Sequence, residues 1–367
     1  MKFSCDKKTL ADAVAGVSRA VVPSAAVPVL QGILLKAEGF KLQLTGYDLE
    51  MAITTEIEVN VQEPGEIVLP AKLLNDMLRS LAGEELTLFS NQEMMTHIKS
   101  GITEYDLMGM SPADFPELPV PNAEKAFEID AAELASMIEM TKYAVSTDDK
   151  KPALTGELFS IMPGELTVVA VDGFRLAITK HPIVSDTEID IVVPAKTVAE
   201  VSRLLGTIGG PVQVDANRRY VVFSGGNYTI MSRLIEGEFL NYRNVLPEGH
   251  KTRVLVDVTP FEKTIERCSI IISERLRNPL RLTFKPDGID VKCETPVGRV
   301  SDHVEAEIDG EEMEIGFNYR YLLDALRFSG CDRVILELSG PLSPVKILPV
   351  EGDEFIFMVL PVRFNNE

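Results

Sequence analysis

The chain has 367 residues, 45% of them hydrophobic and 25% charged, which excludes a disordered or fibrous protein and leaves room for two or three domains. A formal net charge of −20 argues on its face against a nucleic-acid partner. No apolar run is long enough to span a bilayer.

The first residues, Met1 to Asp6, lack the apolar core of a signal peptide. A strand and helix follow: alternation around Phe3, then Asp6 at the N-cap position, with Leu10 and Val14 spaced for one helical face. The same pattern returns at Phe127, Asp130, Leu134 and Ile138, and again at Val254, Asp257, Phe261 and Ile265. Pro260 falls near the start of the third copy, where its missing N–H costs little. Strands and hairpins come next, turning at Gly39, Gly164 and Asp287-Gly288. The first two repeats then share Tyr47-Asp-Leu-Glu-Met-Ala-Ile53 and Asp172-Gly-Phe-Arg-Leu-Ala-Ile178.

A second helix type begins after Leu69, Val193 and Phe317, starts that lie 124 residues apart both times. Each copy has a base (Lys72, Lys196, Arg320), an acid (Asp76, Glu200, Asp324) and an arginine (Arg79, Arg203, Arg327) opposite an apolar stripe. Repetition at constant spacing marks one unit used three times. Alternating strands such as 219–224 and 333–338 close the repeats. Proline-rich joints at 115–122 and 245–251 place boundaries near 122 and 249, giving repeats 1–122, 123–249 and 250–367. The expected class is α+β: each repeat packs two helices on antiparallel sheet.

The expected helices span 6–19, 71–81, 130–142, 195–205, 259–272 and 318–328. They carry 12 basic and 10 acidic residues, whereas the rest of the chain carries 24 and 46. The acidity therefore lies away from the helices, and Lys150, Lys151, Arg275 and Arg277 add bases in loops. A neutral-to-basic helical face on an acidic body is compatible with DNA held loosely on that face alone.

Cys5, Cys268, Cys293 and Cys331 have no paired spacing and point to free thiols in a reducing cytoplasm. His97, His181, His250 and His303 are dispersed, so no metal and no cofactor is expected. There is no Gly-x-Ser-x-Gly, no phosphate-binding loop and no His-Glu-x-x-His, and no catalytic trio returns in all three repeats. An enzyme is not expected.

Taken together, Val193-Pro-Ala-Lys196, Asp172-Gly-Phe-Arg-Leu176, Glu314-Ile-Gly-Phe-Asn318, Met358-Val-Leu-Pro-Val-Arg363 and the threefold repeat make the whole chain similar to the bacterial sliding clamp, the beta subunit of the replicative DNA polymerase. The resemblance implies a head-to-tail homodimer closed into a ring, with helices lining a hole that duplex DNA threads without being read. The implied DNA-facing bases are Lys72, Arg79, Lys150, Lys151, Lys196, Arg203, Arg320 and Arg327.

The resemblance also implies a groove for short peptides from the DNA polymerase III alpha subunit, the clamp loader, other polymerases and repair proteins, with no membrane partner. On one side the groove takes Leu154, Val171, Gly173, Phe174, Arg175, Leu176 and Val245. Asn318, Tyr321, Leu342, Met358, Leu360, Pro361, Val362 and Arg363 close it. Gly173 is expected to admit a close backbone approach, and Arg175 and Asn318 to hydrogen-bond the peptide. Leu240, Asn244 and Pro344 depart from the family pattern and bear on peptide preference, and Asn365 to Glu367 extend past the usual end. The dimer contact is implied at Tyr105 and Leu107 on one side and at Ile270 and Ile271 on the other, since three consecutive isoleucines cannot all face one core at helical spacing. The rival reading is a ring-shaped protein-interaction scaffold that does not depend on DNA.

Overall fold

The computed structural model describes residues 1–119, 124–206, 208–272 and 279–364. Within them, six α-helices stand where apolar periodicity puts them: α1 (Lys7–Val17), α2 (Ala71–Ser80), α3 (Ala131–Thr141), α4 (Ala195–Leu205), α5 (Val258–Ser269) and α6 (Tyr319–Phe328). α2 buries Ala71, Leu74 and Leu78 and leaves Lys72, Asp76 and Arg79 in solvent. α6 buries Leu322, Leu323, Ala325 and Leu326 and leaves Arg320 and Arg327 exposed. Asp6 caps α1 by accepting from the Thr9 N–H at 2.7 Å, and Asp130 accepts from the Ala132 N–H at 2.8 Å. Asp257 departs from this pattern: it stands at the N-cap of α5 without a side-chain cap bond, and its carboxylate meets Arg333 Nε at 3.0 Å. α5 ends at Ser269, so the three isoleucines expected in its last turn lie beyond it.

The chain divides into two units, Met1–Ala135 with Lys196–Leu234, and Ser136–Ala195 with Ile235–Glu367. The first holds a five-stranded and an eight-stranded antiparallel sheet; the second holds a nine-stranded and a four-stranded one. Each large sheet is a fusion of strands from two successive repeats. In the eight-stranded sheet, Met51–Glu58 of the first repeat pairs with Tyr228–Arg233 of the second, in register Ile53↔Ile230. In the nine-stranded sheet, Arg175–Pro182 of the second repeat pairs with Phe355–Val359 of the third, in register Ala177↔Phe357. Both seams join the fourth strand of one repeat to the last strand of the next.

The two small sheets lack such a seam. Thr103–Met108, the last strand of the first repeat, forms one edge of the five-stranded sheet. Gly298–Val304, the fourth strand of the third repeat, forms one edge of the four-stranded sheet.

The turn before each seam strand is built alike. Asp48 Oδ1 accepts from the Glu50 and Met51 N–H groups, and Asp172 Oδ1 from those of Phe174 and Arg175. Asp48 therefore corresponds to Asp172, one residue off the match of letters that aligned Tyr47 with Asp172. At the next position Leu49 has φ 77° and Gly173 has φ 91°. A Cβ on Gly173 would meet open space, so this glycine answers to its backbone angle and not, as expected, to a close approach.

Candidate peptide groove and charged helix face

The groove residues gather around the second seam. Val171, Leu176 and Met358 belong to one buried apolar cluster, with Leu158, Val169, Ile178, Val192 and Tyr242, and Leu154 packs on its margin. Past the seam strand the backbone changes partners. The Leu360 N–H donates to the Phe174 carbonyl at 2.9 Å, and the Val362 N–H donates to the Gly316 carbonyl at 2.8 Å. Pro361, between them, has no N–H to satisfy, which is why a proline is tolerated at this strand end. Gly316 is glycine for a steric reason: a Cβ there would lie 2.6 Å from the Val362 carbonyl oxygen and 2.8 Å from the Phe364 ring. The Phe364 ring is itself 4.1 Å below the Arg281 guanidinium carbon.

Arg175 lies at the centre of the polar rim. Its Nε donates to Asp172 Oδ2 at 3.0 Å, and one Nη bonds Asp324 of α6. Its guanidinium carbon sits 5.2 Å from the Tyr143 ring centroid and 4.7 Å from that of Tyr321. Tyr321 in turn stacks on Phe174, with centroids 5.8 Å apart. The Arg175 side chain is only 14% exposed and Asp172 15%, while Asp324 keeps 32% of its side chain in solvent. Desolvation pushes the Tyr143 phenol well above its ordinary value, which keeps that ring neutral.

Asn318 is the N-cap of α6, its Oδ1 accepting from the Arg320 N–H at 3.1 Å. Phe174, Val245 and Leu342 are exposed apolar groups, and Arg363 is exposed. Leu240 and Asn244 are exposed and Pro344 is half-buried. Asn365 to Glu367 lie outside the described residues. Sequence reasoning passed over Asp172, Tyr143 and Asp324 as groove groups. Asp172 had a signal, since it holds the same turn as Asp48. Tyr143 had none, because its partners come from α6 and from the Asp172 turn.

All eight candidate DNA-facing bases are exposed. They are not equally free. Lys196 pairs with Asp48, Arg203 with Glu200 of its own helix at 2.7 Å, and Arg327 with Glu266 of α5. Glu200 thus pairs within its helix as the spacing suggests, whereas Asp324 turns to Arg175. Arg275 and Arg277 lie outside the described residues.

Of the candidate dimer residues, Tyr105 and Leu107 stand on the edge strand Thr103–Met108. Leu107 is only 8% exposed, and the Tyr105 hydroxyl lies 3.1 Å from Ser80 Oγ. Leu107 is covered within its own chain and Tyr105 is half-buried, and Met108 is the exposed apolar group of this strand. Ile270 is 80% exposed, while Ile271 packs against the core with Ile272.

Comparison with known proteins follows the repeats. Residues 1–119, 128–241 and 243–363 match the N-terminal, central and C-terminal domains of the DNA polymerase III beta subunit. The beta sliding clamp of Staphylococcus aureus is 30% identical over 357 residues, covering 94% of each chain. The chain belongs to the bacterial beta sliding clamp family. The sliding clamp of Bacillus subtilis superposes with a TM-score of 0.96 at 29% identity, covering 99% of both chains. That of Pseudomonas aeruginosa bound to griselimycin gives 0.95 at 29% identity, covering 99% of this chain and all of that one.

Beta sliding clamps encircle DNA and bind peptides in a groove, and the function of this chain is that of a DNA sliding clamp, a non-catalytic processivity factor. Four free cysteines accompany the fold, with burial pushing the Cys5 thiol up to about 12 and the Cys268 thiol up to about 11. Among the described residues no helix is long and apolar enough to cross a membrane, and no group of three or more His, Cys, Asp and Glu could hold a metal ion.

Proposed function

We propose that two copies of this chain, each of three repeats bounded near residues 122 and 249, close a ring head to tail around duplex DNA. One observation carries the proposal: each seam inside the chain joins the fourth strand of a repeat to the last strand of the next repeat, and one edge of each kind is left over. Gly298–Val304 of one copy meeting Thr103–Met108 of the other repeats the same join twice more, and closes the assembly. Head-to-tail contacts of this kind end in a ring when the rotation closes.

DNA is held by the dispersed exposed bases Lys72, Arg79, Lys150, Lys151, Lys196, Arg203, Arg320 and Arg327, of which Lys196, Arg203 and Arg327 pair with acidic neighbours. Such contacts fall on phosphates and carry no sequence information. The groove at the second seam takes short peptides from the DNA polymerase III alpha subunit, the clamp loader, other polymerases and repair proteins. Its apolar floor is Leu154, Val171, Leu176 and Met358, and its rim is the segment from Leu360 to Arg363.

The test is retention on DNA. The purified dimer, loaded on a nicked circular plasmid, is expected to stay bound through gel filtration and to leave when the plasmid is cut once. Loss from the uncut circle, or retention on the cut one, would refute encirclement and favour a protein scaffold. For the groove, removal of residues 360–367 is expected to abolish binding of a labelled Gln-Leu-Ser-Leu-Phe peptide in fluorescence anisotropy. The dimer mass is expected to persist, because this tail lies on Met313–Phe317, the edge opposite Gly298–Val304 in the four-stranded sheet.

A further inference from the structure

We propose that a cavity in the second unit, apart from the groove, takes a short segment of a partner protein that carries a lysine or arginine beside an apolar side chain. The cavity measures about 490 Å³. It lies where the ends of α3 and α6 meet the hairpin between Val345–Pro349 and Phe355–Val359, and it shares no residue with the groove.

Its volume falls within the ~300–1,000 Å³ of ordinary ligand sites. Met140, Pro349, Val350 and Phe355 give it an apolar lining, of which Val350 is 44% exposed. Its charged groups are Arg333, Glu351 and Glu354. Arg333 is engaged elsewhere: Nε meets Asp257 at 3.0 Å and one Nη meets Glu307 at 2.7 Å. Glu351 and Glu354 are exposed and form no ion pair among the described residues. Two helix ends add to their charge. Met140 stands in the last turn of α3 and Ser329 is the C-cap of α6, and a helix C-terminus carries about half an elementary negative charge. The bases nearest these ends are already paired, Lys142 with Glu139 and Arg327 with Glu266. Lys180, beside the hairpin, meets Asp353 at 3.6 Å and Glu165 at 3.9 Å. The Cys331 thiol in the cavity feels the result: burial raises it above its ordinary value, and Glu354 and Asp332 raise it further.

An apolar lining under uncompensated negative charge fits a basic side chain. Its methylene stem covers apolar surface while its head stays in water at the rim. A neighbouring apolar side chain covers the exposed Val350, which a free cation of one charge and one stem does not do. An anionic segment meets repulsion at the same rim.

Of the 13 methionines, Met140 alone lines the cavity, so its methyl group reports occupancy. The probes are acetyl-Lys-Phe-amide and acetyl-Glu-Phe-amide, titrated against full-length protein carrying ¹³C-methyl methionine, with the Met140 resonance assigned by Met140→Leu. The lysine dipeptide is expected to shift that resonance saturably, and the glutamate dipeptide to leave it in place. Glu351→Gln with Glu354→Gln is expected to weaken the lysine dipeptide about fivefold, the size of two partly exposed ion pairs. Equal responses to the two dipeptides, no saturable shift at Met140, or an unchanged affinity in the double variant with a native circular dichroism spectrum would overturn the proposal. Hexylammonium binding as tightly as the lysine dipeptide would replace the partner segment by a free organic cation. Displacement of the lysine dipeptide by Gln-Leu-Ser-Leu-Phe would place it in the groove and overturn the separate site.

Discussion

Glu157, on the strand Gly156–Met162, has no exposed surface, and neither carboxylate oxygen has a hydrogen-bond partner. The neighbouring Thr141 hydroxyl donates instead to the Met137 and Ile138 carbonyls, at 2.9 and 3.2 Å. Desolvation therefore dominates and raises the Glu157 carboxyl well above the usual range, against weaker opposing effects from Thr141 and Lys142. The sign follows from proton linkage. An unfolded glutamate loses its proton near about pH 4.3, while the folded one keeps it. The stability this group contributes is full below that pH and falls by about 1.4 kcal/mol per pH unit until the folded group ionises. Glu157→Gln removes the loss. Urea melts of wild type and variant between pH 4 and pH 8 are expected to coincide at the acid end and diverge upwards, with the variant more stable at pH 8. Parallel curves would mean that Glu157 keeps its ordinary acidity. Nothing in the sequence marks this residue. A glutamate at the start of a strand reads as a solvent-facing position, but Gly156–Met162 is buried along almost its whole length, and Thr141 of α3 stands near Glu157.

Elements are where the sequence was most legible and where its failures are most instructive. The amphipathic stripes of α2, α4 and α6 are fixed by local periodicity, and the structure buries the residues that the 3.6-residue repeat selects. Asp257 fails as a cap because Arg333, on a neighbouring strand, competes for its carboxylate. Apolarity does not say which surface covers a side chain: within the single chain Leu107 is 8% exposed and Ile271 is partly buried against the core. The groove is legible as a set of motifs, whereas the Arg175 cluster is not, because it joins residues from α6, from the segment after α3 and from one turn. Gly316 shows how an element end feeds the site. Gly316→Ala places a methyl 2.6 Å from the Val362 carbonyl, closer than non-bonded atoms tolerate. Backbone must shift, and the segment that can move is Leu360–Phe364. The expected result is a peptide affinity reduced by about tenfold, the equivalent of one lost hydrogen bond. The dimer mass is expected to be unchanged. Wild-type affinity in this variant would show that the tail's seat on Gly316 does not matter to the groove.

At the scale of the whole molecule, the six expected helices of a strongly acidic chain carry 12 bases against 10 acids, and its repeats leave two matching edges. The edge strands present unpaired backbone groups, which natural proteins cover, shorten or pair. Thr103–Met108 carries exposed Met108 at its end, and Ile270 is the exposed member of the isoleucine run after α5. Exposed apolar groups beside free edges are what a dimer contact needs, and an aspartate in either place puts an unpaired charge into a drying interface at a cost of several kcal/mol. Met108→Asp with Ile270→Asp is therefore expected to give a single-chain mass by light scattering at micromolar concentration, with a native circular dichroism spectrum. The comparison with Leu107→Asp separates interface from core. Leu107 is buried in its own sheet, so that variant is expected to lower the melting temperature even where it stays dimeric. A dimeric Met108→Asp, Ile270→Asp protein would move the contact away from these two edges. A monomer that still survived gel filtration on closed circular DNA would break the link between ring closure and retention, because a single chain has no second copy to complete the hole.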